Sequence, residues 1–202
     1  MSIDLPTIVE DFAACIKLAD ARRPQAVNVR SKQPFQAGIG PHSEAQVIKL
    51  VTDEMILYQP TRYGNTIAVN VPYPESPRQK CDICIGHAPL WDWAIEVKML
   101  RFLGDNGKLN DNILMHILSP YPEHRSALTD CVKLVRTRLG QSKAVLIYGF
   151  EHEEWPLDLA IEAFEVLAKS KIGMSRRYVA EFDDLIHPIH KRGKVFGWQL
   201  YT

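Results

Sequence analysis

The stretch Trp91-Asp92-Trp93-Ala94-Ile95-Glu96-Val97-Lys98-Met99 decides how the chain is read. Trp93, Ile95, Val97 and Met99 alternate with Ala94, Glu96 and Lys98. A period of 2 marks a β-strand, here with one wholly apolar face and a carboxylate beside an ammonium on the other. Upstream, Lys80-Cys81-Asp82-Ile83-Cys84-Ile85-Gly86 alternates in the same way, with Cys81, Ile83 and Ile85 expected on one face and Asp82 on the other. If the two strands pair, Asp82, Glu96 and Lys98 converge. Two carboxylates and a lysine on one patch of sheet can hold a hard divalent cation and an activated water.

Working outward, residues 5–23 read as a helix with Ile8, Phe12, Ile16 and Ala19 as its apolar stripe. Residues 24–41 hold Pro24, Pro34, Gly38, Gly40 and Pro41 without periodicity and read as a loop. A second helix is expected over 43–58, opened by a Ser43/Gln46 capping box and buried through Val47, Ile48, Val51 and Met55. Its Glu44 lies on the same side as that stripe. Three strands follow at 66–71, 80–86 and 92–99, punctuated by prolines and glycine as a meander. A helix over 121–139 carrying Leu128, Val132, Val135 and Leu139 comes next, then the continuous apolar run 143–149 of a strand buried on both faces. A helix over 156–171 and strands near 178–186 and 194–201 complete the chain.

Asp82 followed by Glu96-Val97-Lys98 resembles the catalytic signature of the PD-(D/E)XK nuclease superfamily, although Cys81 stands where that signature usually has Pro. The element order helix, three strands, helix, strand over about 42–150 matches the αβββαβ core of the restriction-endonuclease-like fold. The resemblance therefore implies an α/β protein with a mixed central sheet flanked by helices. One domain spans 1–202, with a helix and loop over 1–41 and an extension over 151–202. It also implies a Mg²⁺-dependent nuclease, with Mn²⁺ as substitute and DNA as the favoured substrate. Asp82, Glu96 and the Val97 carbonyl would hold the cation. Lys98 would orient or deprotonate the attacking water, and as a base it is expected to carry a lowered pKa. Glu44, on the helix before the strands, is the fourth candidate. The alternative from a different class is a catalytically silent module of this fold that binds nucleic acid or a companion subunit.

Composition bounds these readings. The 202 residues carry 24 basic and 24 acidic side chains, which argues against a protein that coats nucleic acid nonspecifically. It leaves room for a local basic groove, for which Arg22, Arg23, Arg30 and Lys32, or Arg176, Arg177, Lys191 and Arg192, are the candidate linings. No apolar run approaches 18 residues and no secretory leader is evident, so the expectation is a cytoplasmic protein without membrane contact, acting as a homodimer or with a companion subunit. Cys15, Cys81, Cys84 and Cys131 read as reduced core residues, and the Cys81/Cys84 thiols as pointing to opposite strand faces. His116, His124, His152, His187 and His190 show no ligand spacing and read as surface or satisfied histidines, with His124 and Arg125 placed to touch a phosphate at a helix N-terminus.

Overall fold

The structure is a computed structural model that describes residues 3–28 and 31–201. The chain opens with α1 (Leu5–Ala21), whose N-cap Asp4 accepts a 3.1 Å hydrogen bond from Thr7 N. After the loop comes α2 (Glu44–Tyr58), where the Gln46 side chain accepts from Ser43 N at 3.0 Å as the capping box requires, and then a single turn α3 (Pro60–Tyr63). The meander follows as β1 (Ile67–Tyr73), β2 (Ser76–His87) and β3 (Leu90–Leu100), each longer than its apolar pattern alone indicates.

The expected helix over 121–139 is interrupted. A short α4 (Met115–Leu118) is followed by a 3-10 turn at Pro122–His124, and Arg125 turns left-handed at φ 47°. Ser126 then caps α5 (Ala127–Arg136) by accepting from Thr129 N at 3.2 Å. Its buried face is Ala127, Leu128, Cys131 and Leu134 rather than the Val132 and Val135 of the sequence reading, and Leu139 lies beyond its end. The remaining elements are β4 (Ser142–Phe150), α6 (Asp158–Lys169), β5 (Gly173–Met174), β6 (Tyr178–Phe182) and β7 (Gly193–Tyr201).

These strands form one mixed, open seven-stranded sheet in the order β1-β2-β3-β4-β7-β5, with β6 also paired to β7. β3 and β4 run parallel, joined by the crossover through α5, while the other pairs are antiparallel. Helices cover both faces, which is why even the polar side of β3 is buried. On one side α1 and α2 pack on Ile83, Ile85, Trp93, Ile95, Val97, Leu146 and Tyr148. On the other α5 and α6 pack on Cys84, Ala94, Val145, Ile147, Phe196 and Trp198. Among the described residues no helix is long and apolar enough to cross a membrane.

The alternation of β2 breaks at Asp82. The β1–β2 register pairs Val69 with Ile83 and Val71 with Cys81, stepping over Asn70 and Asp82, and Asn70 adopts φ 56°. The β2–β3 register begins only at Ile83 and Ile95, so the strands part beside the acid. In consequence Cys81 packs in the same cluster as Cys84, and the two thiols are neighbours rather than on opposite faces. All four cysteines are buried and free.

Candidate functional site

Where β2 and β3 part, Asp82, Glu96 and Lys98 come together under α5. Asp82 Oδ2 accepts from Val97 N at 2.8 Å, which fixes it against the β3 backbone, and its carboxyl is near enough to that of Glu96 to oppose its ionisation. Glu44, at the first turn of α2, reaches across the other side of β3. Its Oε2 accepts from Met99 N at 2.7 Å, and its Oε1 lies 3.4 Å from Lys98 Nζ. The four side chains singled out from the sequence are thus in one constellation.

Three further residues belong to it that the sequence reading missed. Asp130 and Lys133, one turn apart on the inner side of α5, meet the two strand residues: Lys98 Nζ is 2.9 Å from Asp130 Oδ2, Lys133 Nζ is 2.6 Å from Glu96 Oε1, and the two α5 residues pair with each other at 2.7 Å. The Tyr73 hydroxyl, at the end of β1, donates to the same Glu96 Oε1, and Lys133 Nζ stands 4.9 Å from the centre of the Tyr73 ring. The signal was Asp130-x-x-Lys133, an i,i+3 pair of opposite charge on a helix that must face the sheet.

Burial dominates the electrostatics. Glu96 is only 2% exposed, and its carboxyl is pushed well above the ordinary range by burial and by the Asp130 and Asp82 carboxylates, against the pull of Lys133. Burial likewise raises Asp82 and Glu44, more than their hydrogen bonds and Lys98 lower them. Lys98 departs from expectation. Burial alone would depress it, but Glu44, Asp130 and Asp82 outweigh that penalty and hold its pKa above that of a free lysine. It is therefore an ammonium in this setting, not a ready base.

The constellation is the floor of an open cleft of about 1320 Å³. Arg78 and Lys80 on β2, Arg101 after β3, Arg125 before α5, Arg136 at its last turn, and Lys171 after α6 line its upper parts, together with His116 and His124. A basic rim over an acidic floor suits a polyanion whose reacting phosphate must reach the acids. The clusters expected to line the groove lie elsewhere. Arg22 pairs with Glu54, Arg177 with Asp158 and Glu165, and Lys191 and Arg192 line a second hollow of about 480 Å³, while Arg30 lies outside the described residues. Loop geometry placed these residues, and loop geometry has no periodicity to read. His124 and Arg125 do sit at the cleft. The two cleft walls are tied at one corner: Glu75, in the β1–β2 turn, accepts from Thr137 Oγ1 at 2.8 Å and from Arg138 N at 2.9 Å, just past α5.

Three of the histidines gather in one place, and His187 and His190 are partnered there, as satisfied histidines would be. His187 and His190 are fully buried and stacked at 4.9 Å, His152 meets His190 edge-on at 5.9 Å, and His190 Nε2 lies 3.3 Å from Asp105 Oδ1. Asp20 stitches this region together, accepting from Ile39 N and Ile186 N at 2.7 Å each. Among the described residues no three His, Cys, Asp or Glu side chains already converge on one ion, here or at the cleft floor, where Asp82 and Glu96 supply two. No family model, curated protein or solved structure matches the chain, so the chemistry of the cleft floor carries the functional reading.

Proposed function

We propose that the chain is a metal-dependent phosphodiester hydrolase, a nuclease of the PD-(D/E)XK type with DNA as favoured substrate and a restriction-endonuclease-like core. The observation that carries the reading is the charge on the cleft floor. The carboxylates of Glu44, Asp82, Glu96 and Asp130 face the ammonium groups of Lys98 and Lys133, which leaves two negative charges unbalanced once all four acids ionise. Burial makes that imbalance costly, and a divalent cation carries the charge that cancels it. The nearness of Asp82 to Glu96 points the same way, since burial pushes both carboxyls up and two acids side by side in a poorly solvated place are relieved by a common cation. The donor set is all oxygen and short, which fits Mg²⁺ or Mn²⁺ completed by water and substrate phosphate.

Asp82, Glu96 and the Val97 carbonyl would hold the ion. A bound cation supplies Lewis-acid stabilisation of charge on a phosphoryl oxygen and lowers the pKa of water. The chain's own groups do the rest. Val97 N fixes Asp82, Met99 N fixes Glu44, and Glu44 with Asp130 holds Lys98 as an ammonium aimed at the floor. So held, Lys98 orients water and offsets negative charge developing on the phosphate. Arg78, Lys80, Arg101, Arg125 and Arg136 would grip the flanking phosphates.

The test is incubation of single-stranded DNA, duplex DNA and RNA with the protein and Mg²⁺ or Mn²⁺, with Lys98→Ala as control. Cleavage of at least one substrate by the wild type and its loss in the variant are expected. Binding without cleavage of any substrate would identify the silent module instead.

A further inference from the structure

Glu96 Oε1 is contacted by two donors from opposite sides of the cleft floor. The Tyr73 hydroxyl reaches it from β1, and the Lys133 ammonium reaches it from α5 at 2.6 Å. A carboxylate oxygen has two lone pairs, so this oxygen is fully used. Neither donor is idle elsewhere in a way that would release it. Tyr73 is 3% exposed with its ring under Lys133, and Lys133 is also held by Asp130 at 2.7 Å. Glu96 can therefore offer an ion only its other oxygen.

We infer that Tyr73 and Lys133 are positioning residues that restrict Glu96 to single-oxygen ligation and so set the size of the cation the cleft accepts. Ca²⁺ takes six to eight oxygens at long distances and is commonly served by bidentate carboxylates, whereas Mg²⁺ and Mn²⁺ keep a compact octahedral shell built from single carboxylate oxygens and water. Clamping one oxygen removes the bidentate mode and with it the advantage of the larger ion. The inference rests on the cation site proposed above, and it adds two residues outside the Asp-Glu-Lys signature.

Calorimetric titration of the whole chain with Mn²⁺ and with Ca²⁺ tests it without any turnover. Wild type is expected to favour Mn²⁺. Tyr73→Phe and Lys133→Met each free a lone pair on Oε1 and should shift the affinity ratio toward Ca²⁺ by roughly tenfold, the lower end of what the partners of a metal ligand contribute. Lys133→Arg keeps a donor in place and should retain the wild-type ratio. Circular dichroism identifies any variant that fails to fold, and the other of the pair then decides. A role in packing alone would weaken both ions in parallel, leaving the ratio unmoved in folded Tyr73→Phe and Lys133→Met, and that result overturns the inference while the cation site stands. If the wild type binds neither ion, the site itself is wrong.

Discussion

Two polar islands are buried in this sheet protein, and the cationic groups in them fare in opposite ways. At the cleft floor, acids and lysines meet at 2.6–3.4 Å, and each lysine is held charged by the carboxylates around it. Around His190, imidazoles stack on one another with Phe150 at 4.6 Å, and burial followed by neighbouring positive charge depresses His187 and His152 toward the neutral form. Burial also depresses His42, although Asp105 opposes it. The contrast shows what keeps a charge inside a protein. A buried cation keeps its charge where several carboxylates face it, as at Lys98 and Lys133, and is pushed toward neutral where burial outweighs the acids nearby, as at His187 and His42 beside Asp105.

The sharpest way to break the comparison is to neutralise the charged island. Asp82→Asn and Lys98→Ala should each lower hydrolysis by at least on the order of 10²–10³-fold. Asp82→Asn should not lower the melting temperature, because the native carboxyl is already raised by burial and its ionisation at neutral pH opposes folding. A fall in both activity and melting temperature would mean the acid is structural.

The neutral island should respond through its seams instead. Asp20→Ala strands the buried Ile39 amide and the half-buried Ile186 amide and should cost about 2–4 kcal/mol in urea unfolding, since a fully buried unsatisfied donor costs about 1–3 kcal/mol and a half-buried one less.

A smaller effect separates the islands by pH. His42, His152 and His187 have folded pKa values below their unfolded ones, so the unfolded chain binds more protons in mild acid. Their contribution to stability is whole above about pH 6.5 and is lost as pH falls through the depressed folded values, at up to about 1.4 kcal/mol per proton per pH unit. The raised carboxyls of Asp82, Glu44 and Glu96 act with the other sign, favouring the fold at low pH and costing it as pH rises through their folded values. Urea midpoints measured between pH 7.5 and 5.5 should therefore fall less steeply in His152→Gln than in wild type. Least of all should follow from the exposed Lys49–Asp53 pair, where Lys49→Ala is expected to shift stability by no more than about 0.5 kcal/mol.

Strand and helix positions were legible because period 2 and period 3.6 are local. The polar face of β3 and the capping box before α2 could be read from neighbours alone, and with them Asp82, Glu96 and Lys98, while Glu44 became a candidate through the family resemblance. What escaped depends on distant parts of the chain. Asp130 and Lys133 become site residues only because a parallel crossover lays α5 over the Glu96 face, and the helix reading went to Val132, which lines the cleft, and to Val135, which packs at the edge of the core. Tyr73 enters because β1 runs past its apolar pattern into the turn. The histidines came together through loops at 103–105, 150–152 and 185–190, and the alternation of β2 gave no hint of the left-handed Asn70 that turns Cys81 inward.

The Glu75 tie has a consequence for anyone seeking to block this cleft. Because the β1–β2 turn is fastened to the chain just beyond α5, the backbones that carry Arg78 on one wall and Arg136 on the other are joined at that corner before a ligand arrives, leaving a preset gap between the walls. A small rigid polyanion cut to that gap meets both guanidinium groups without waiting for the walls to close. Its capture would then be governed by encounter and by salt rather than by protein rearrangement.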